Sequence, residues 1–256
     1  KLWLKYLYGV GFAAGDGNVY EYGAYHEVFL AAYAEVGVAD SLALVLHSDI
    51  VRTFHLEDPR DGGTSSHVSP GDPALGLRWQ FLALDRFVAA AELSARVPFA
   101  RPGPVATVYS TAEGNPAIGA LRVGAGVFDV AGRLAAGYGG DPWYVAGSVG
   151  YVLRTGGYDH ALTWSLEGGT TIDEVFGLRF RVLGVHALDV WLGERAPGHG
   201  SPSGIGNGTG YLGFAAEGDY RFAPGWFVGL TVEGGAGFLS RQTGGPVVTL
   251  YLATRF

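Results

Sequence analysis

From Phe87 to Val97 the chain alternates with period two. Phe87, Ala89, Ala91, Leu93, Ala95 and Val97 fall on one face of an extended segment, and Val88, Ala90, Glu92, Ser94 and Arg96 on the other. Leu75, Leu77, Trp79 and Phe81 oppose Gly76, Arg78 and Gln80 in the same way, and Leu162, Trp164 and Leu166 oppose Thr163, Ser165 and Glu167. Further on, Leu212, Phe214, Ala216 and Tyr220 oppose Glu217, Asp219 and Arg221, and Trp226, Val228, Leu230 and Val232 oppose Thr231 and Glu233. One face is greasy and carries large aromatics; the other carries ions. A soluble barrel buries the first face, whereas a membrane barrel turns it to lipid and directs the ions to the lumen. The pattern predicts strands over 2–14, 19–38, 41–55, 73–83, 86–98, 117–134, 143–155, 159–171, 175–191, 209–222, 225–238 and 246–256. The expected fold is all-β: a single domain over 1–256 forming a transmembrane antiparallel up-and-down β-barrel of about twelve strands in a bacterial outer membrane.

The connections support this. Tight turns at 38–41, 84–86, 171–174 and 223–225 alternate with longer polar links at 56–72, 100–116, 192–208 and 239–245, as short periplasmic turns alternate with longer extracellular loops. Links at 15–18 and 155–158 are shorter than that rule expects, and the one at 135–142 is longer. No apolar run approaches the ~18 residues of a helical span, so the 48% hydrophobic content does not come from membrane helices. Forty-three glycines among 256 residues, with abundant Tyr, Phe and Trp, fit a strand-and-turn chain. Without cysteine there is neither a disulfide framework nor a thiolate metal site. The start on Lys1 without methionine is the expected trace of a removed export signal. A net charge of −7 without a basic cluster excludes a nucleic-acid footprint.

Projected inward, the strands collect Lys5, Glu21, Glu27, Glu35, His47, Asp49, Arg78, Glu92, Arg96, Arg122, Arg154, Glu167, Arg179, Arg181, Glu217, Asp219, Arg221 and Glu233 as candidate lumen residues. An unpaired buried ion costs several kcal/mol, so these charges are either a salt-bridge network filling the barrel or the walls of a narrow aqueous path with a transverse field. Gly9, Gly11, Gly23, Gly124, Gly126, Gly150, Gly168 and Gly229 leave room for a path, or ease strand curvature. Trp3, Tyr6, Tyr8, Trp143, Tyr151, Trp191 and Trp226 fall near strand ends and are the candidate lipid-interface girdle.

Enzymatic motifs are weak. No Gly-x-Ser-x-Gly elbow occurs, and His26-Glu27 lacks the second histidine of a zincin. Asp58 to Gly62 lacks the rest of a calcium loop. His47, Ser48 and Asp49 are the best triplet, but alternation sends Ser48 to the opposite face. No cofactor, metal or catalytic residue is expected.

Four segments in order, Glu35 to Leu42, Gly71 to Arg78, Ala95 to Pro98 and Ser148 to Arg154, resemble motifs of the outer-membrane channels for hydrophobic compounds. That group includes the phenol meta-pathway transporter-like proteins and, more distantly, the long-chain fatty-acid transporter. The chain departs from the pattern at Phe99, where the family has Thr, and at Val152, where it has Arg. No plug segment precedes the first strand, which argues against gating of the fatty-acid transporter type. The resemblance implies a passive channel for small hydrophobic or amphipathic solutes. From another class, the alternative is a structural barrel with an occluded lumen that anchors a larger envelope complex. Expected partners are membrane lipid and lipopolysaccharide, a small solute, an envelope protein, and the barrel assembly machinery, whose recognition signal the terminal Phe256 resembles.

Overall fold

The computed structural model describes the chain apart from residues 14–18, 59–61, 101–103, 111–117, 123, 125, 197–206, 209, 236–241 and 256. The described residues form β1 (Leu2–Ala13), β2 (Val19–Ala39), β3 (Leu42–Glu57), β4 (Thr64–Ser69), β5 (Ala74–Leu84), β6 (Phe87–Arg96), β7 (Pro104–Ser110), β8 (Ile118–Arg122), β9 (Asp129–Gly139), β10 (Trp143–Arg154), β11 (Ala161–Ile172), β12 (Phe176–Ala187), β13 (Tyr211–Ala223), β14 (Trp226–Gly235) and β15 (Gln242–Thr254). All pairings are antiparallel, and β15 pairs with β1 from Leu2↔Leu252 onward, so the sheet closes on itself. The closed wall has twelve staves. One of them is composite: β4 and β5 lie end to end along β3, which pairs Arg52 to Glu57 with β4 and Leu42 to His47 with β5.

Three sequence expectations change here. The links at 56–72 and 100–116 each contain a strand, β4 and β7. The segment expected as one strand over 117–134 is two elements: β8 pairs with β7 in a hairpin that meets the barrel at Tyr20 and Glu21 of β2, and the wall resumes at Asp129. Gly126, with φ +67°, lies in the break and is incompatible with an extended strand. Finally, β9 runs on through the Ala135–Gly139 stretch expected as a loop. That stretch is Ala- and Gly-rich and shows no hydrophobic period, yet it pairs on both sides, with β6 and β10.

Lys1, Arg255 and the short turns lie at one end of the barrel, and the strand ends that the long links join lie at the other. Twelve-residue staves such as β10 and β11, tilted by ~40°, reach about 30 Å along the axis, enough for the ~25 Å apolar band of such barrels. The outward positions of successive staves are apolar and exposed: Leu2 and Leu4, Leu75 and Leu77, Leu93, Leu134, Leu166, Leu178 and Phe180, Leu230, and Leu250. Inside, β1–β3 and β15 carry bulk (Tyr25, Val45, Phe54, Leu56 and Tyr251 are buried), whereas β6 and β9–β11 turn Ala, Ser and Gly inward.

Two stability outcomes follow. Leu166→Arg, at the middle of β11, is expected to cost about 2–4 kcal/mol for a charge at the bilayer midplane, read as a lowered denaturant midpoint for refolding into vesicles. Glu27 is fully buried and accepts from Tyr25 Oη (2.8 Å) and Arg52 Nε (2.6 Å). Glu27→Ala is therefore expected to cost about 3–5 kcal/mol in the same assay, and pairing Glu27→Leu with Arg52→Met to recover most of it.

Candidate functional site: a charge-lined lumen

The inward charges are arranged by strand register. Arg78 of β5 and Arg133 of β9 both lie directly opposite Glu92 of β6, and Arg96 of β6 and Arg154 of β10 both lie directly opposite Asp129 of β9. Glu92 Oε2 accepts from Arg78 Nη2 at 2.7 Å and Arg133 Nη2 at 2.9 Å. Asp129 sits 3.6 Å from Arg96 and 3.5 Å from Arg154. Because Glu92 and Arg96 are four residues apart on one strand, and Asp129 and Arg133 four apart on its antiparallel neighbour, the two sets form a checkerboard of opposite charges. Cross-strand opposite charges stabilise such pairs by roughly 0.2–1 kcal/mol each.

The pattern continues around the wall. Glu167 of β11 lies opposite Arg181 of β12, which it binds, and accepts a 2.5 Å hydrogen bond from Tyr144 Oη. Glu217 of β13 lies opposite Arg179 and Thr231 and collects Arg179 (2.5 Å), Tyr251 Oη (2.7 Å), Thr231 Oγ1 (3.1 Å) and Lys1 Nζ (3.4 Å). Arg179 also holds Asp219. Tyr251 reaches this cluster by lying across Gly229, where any Cβ would come within 2.3 Å of its ring. Nearer the chain ends, Glu35 accepts from Arg78 Nη1 (2.6 Å) and Tyr33 Oη (2.5 Å).

At the loop end a strap follows β12. His160 N–H donates to Val190 O (2.6 Å), Ala196 N–H to Gly157 O (2.8 Å), and Asn207, itself buried, accepts from Asp159 N–H (2.6 Å) and donates to Ala196 O (2.6 Å). Arg195 spans Asp159 (3.0 Å) and Asp189 (2.5 Å), and the hydrogen bond to Asp159 raises its guanidinium pKa above the ordinary value.

Most of the candidate lumen residues share the inward face, with several qualifications. Lys5 makes no ion pair among the described residues and lies over the Trp3 and Phe29 rings at 5.6 and 5.4 Å. His47 and Asp49 face in while Ser48 faces out, so the three form no relay. Glu233 faces in opposite Ala215 and Val247, without an ion pair among the described residues. Glu21 is placed on β2 opposite Gly11, but its side chain lies outside the described residues, as does Phe256. Arg221 sits at the rim beside the exposed Glu174, 3.7 Å away.

Arg122 is a correction: it belongs to β8, which is not part of the closed wall, because the strand breaks before β9. Gly124 and Gly126 fall in that break, and Gly168, which follows the inward Glu167, faces out. Trp3 is another correction. It shares its parity with Lys5, faces the lumen and stacks on His47 at 5.6 Å. Tyr6, Tyr8, Trp143, Tyr151 and Trp226 are outward and exposed; Trp191 is exposed in the link after β12, beneath Arg195.

Asp129, Arg133 and Arg52 were not among the expected residues. Unbroken alternation over 117–134 and 41–55 predicts the opposite parity for these positions, and the break before Asp129 and the bulge between Asp49 and Val51 each reverse it. The signal for the first two is the matching Glu92-x3-Arg96 and Asp129-x3-Arg133 spacing, acid before base in both, which antiparallel pairing sets into opposed charges.

The lumen holds a 910 Å³ cavity walled by Ala90, Ala135, Gly137, Ala146, Ser148 and Ser165 together with the Glu92 and Glu167 pairs. A 730 Å³ cavity towards the chain ends shares Tyr33, Glu35 and Arg255 with it. Beyond the larger cavity, one inward position further along β6, β9, β11 and β12, lies a 220 Å³ pocket with Arg96, Asp129, Arg154 and Asp159 in its wall.

No protein-family model and no curated protein matches the chain. Among solved structures it is similar to the COG4313 outer membrane channel from Pseudomonas putida F1, with a TM-score of 0.62 at 12% identity, covering 100% of this chain and 94% of that one. It is also similar to the translocator domain of the autotransporter NalP from Neisseria meningitidis (TM-score 0.56, 10% identity, 100% and 87% covered) and to the Pseudomonas putida toluene transporter TodX (0.50, 11%, 100% and 88%). At these identities the likeness establishes the fold, that of a bacterial outer-membrane β-barrel.

Proposed function

We propose that the protein is a passive outer-membrane channel through which small hydrophobic or amphipathic solutes move down their own gradient. The observation that carries this reading is the pair of neighbouring cavities, 910 and 730 Å³, which share Tyr33, Glu35 and Arg255 in their linings, the larger of them lying along a wall of small side chains. Buried ions are tolerated in such a wall because Glu92, Asp129, Glu167 and Glu217 are each met by cross-strand donors. Two proteins of this fold are described as an outer membrane channel and a toluene transporter, and the family resemblance points the same way. The channel conducts rather than catalyses: the His47 ring is stacked on Trp3 and its neighbour Ser48 is turned away. Lipid and lipopolysaccharide meet the outward belt, and the assembly machinery reads the last strand.

A structural barrel, anchoring an envelope protein, is the second reading. It is favoured by the loop-end strap held by Arg195 and Asn207 and by the small size of the pocket at that end. Purified, folded protein in planar bilayers is expected to give discrete current steps, and loaded vesicles to show solute flux. A silent bilayer together with tight vesicles overturns the channel and leaves the structural barrel.

A further inference from the structure

The ion pairs of the lumen are balanced in charge but not in position. At the middle of the barrel the Arg133 side chain is 43% exposed and its partner Glu92 13%; Arg181 is 41% exposed and Glu167 18%. Towards the loop end, Arg96 is 40% exposed and Asp129 9%. In each pair the carboxylate is tucked against the wall between its donors and the guanidinium faces the open space. Two pairs depart from this: Glu35, 36% exposed, is held by Arg78 and Tyr33 towards the chain ends, and Arg154, 7% exposed, is as buried as its partner Asp129. Among the described residues, eight basic side chains and six carboxylates line the three cavities, and the inward Asp49 and Glu233 line none of them.

A guanidinium has five N–H donors in a planar fork, so one that spends one or two on a wall carboxylate still has donors for a passing anion. Arg133 gives its described bond through Nη2 alone, and among the described residues the only ion pair of Arg96 is the 3.6 Å contact to Asp129. Between the cations the wall is apolar and small: Ala90, Ala135 and Ala146 in the large cavity, and Ala74, Ala131 and Val152 in the pocket beyond. At ~30 Å³ per water, 220 Å³ corresponds to about seven waters, room for one compact body.

We infer that the path selects small organic anions, a carboxylate on a compact apolar body, passed along Arg96, Arg133 and Arg181 as specificity-determining cations. This deepens the channel reading and rests on it. Cationic rings on a pore wall favour anions by the same electrostatics that acidic rings use for cations.

The test is ion selectivity followed by matched solutes. Across a potassium chloride gradient the wild-type barrel is expected to show a reversal potential of chloride-selective sign. Vesicle flux of benzoate is expected to exceed that of benzylammonium, a solute of similar size and opposite charge, severalfold. Arg133→Gln combined with Arg181→Gln should remove most of both preferences. Glu92 keeps Arg78 and Glu167 keeps Tyr144, so this variant retains partners for its wall carboxylates; heat-dependent gel mobility verifies its fold. Arg86→Gln, at an exposed turn outside the three cavities, removes a cation away from the path and should leave selectivity unchanged. A conducting barrel with equal or cation preference overturns this inference and leaves the channel standing, as does a folded Arg133/Arg181 variant of unchanged selectivity. A silent membrane overturns the channel and the inference together.

Discussion

Hydrocarbon offers no hydrogen bonds, so every backbone N–H and C=O that crosses it must be satisfied by the chain itself. The pairing of β15 with β1 meets that demand: it closes the wall and leaves no edge between the first and last strands. Closure also dictates where side chains go. With period two imposed on every stave, one face meets lipid and the other is confined to a cylinder whose size the twelve staves set. The interior then has to be either filled or wet, and this chain does both on opposite sides.

The filled side is β1–β3 and β15. Trp3, Tyr25, Phe29, Phe54 and Tyr251 occupy it, with Glu27 and Arg52 enclosed among aromatic rings. The wet side is β6 and β9–β11, where alanine, serine and glycine leave volume and the longest side chains are charged. The composition that looked merely β-rich therefore divides around the barrel: the larger cavity follows the small residues, and the smaller one opens towards the chain ends beside Tyr33, Phe227 and Tyr251.

The barrel and most of its staves were legible because lipid-facing alternation is a direct imprint of closure: Leu75, Leu77 and Trp79 need no partner to be recognised. What was hidden is parity after an interruption. A bulge at Ile50 moves the inward set from His47 and Asp49 to Arg52, and the break around Gly126 moves it from the expected even positions to Asp129 and Arg133. Trp3 was misplaced for a different reason. A tryptophan near a strand end suggests a girdle, but its two-residue spacing from Lys5 assigns it to the lumen. Pairing across strands is a two-body property, so the Glu92–Arg133 and Asp129–Arg96 matches emerge only once β6 and β9 are known to be neighbours.

The choice of basic residue ties stability to the path. Of seventeen basic residues only two, Lys1 and Lys5, are lysines, and the wall pairs of β5, β6, β9, β10 and β12 use arginine throughout. A lysine ammonium facing a wall carboxylate is a point charge at the end of a flexible stem, drawn towards the wall with its partner. An arginine divides its fork, neutralising the buried carboxylate with one edge and presenting the other to the lumen. The arginines that neutralise the wall carboxylates are thereby the same residues that present donors to the open space.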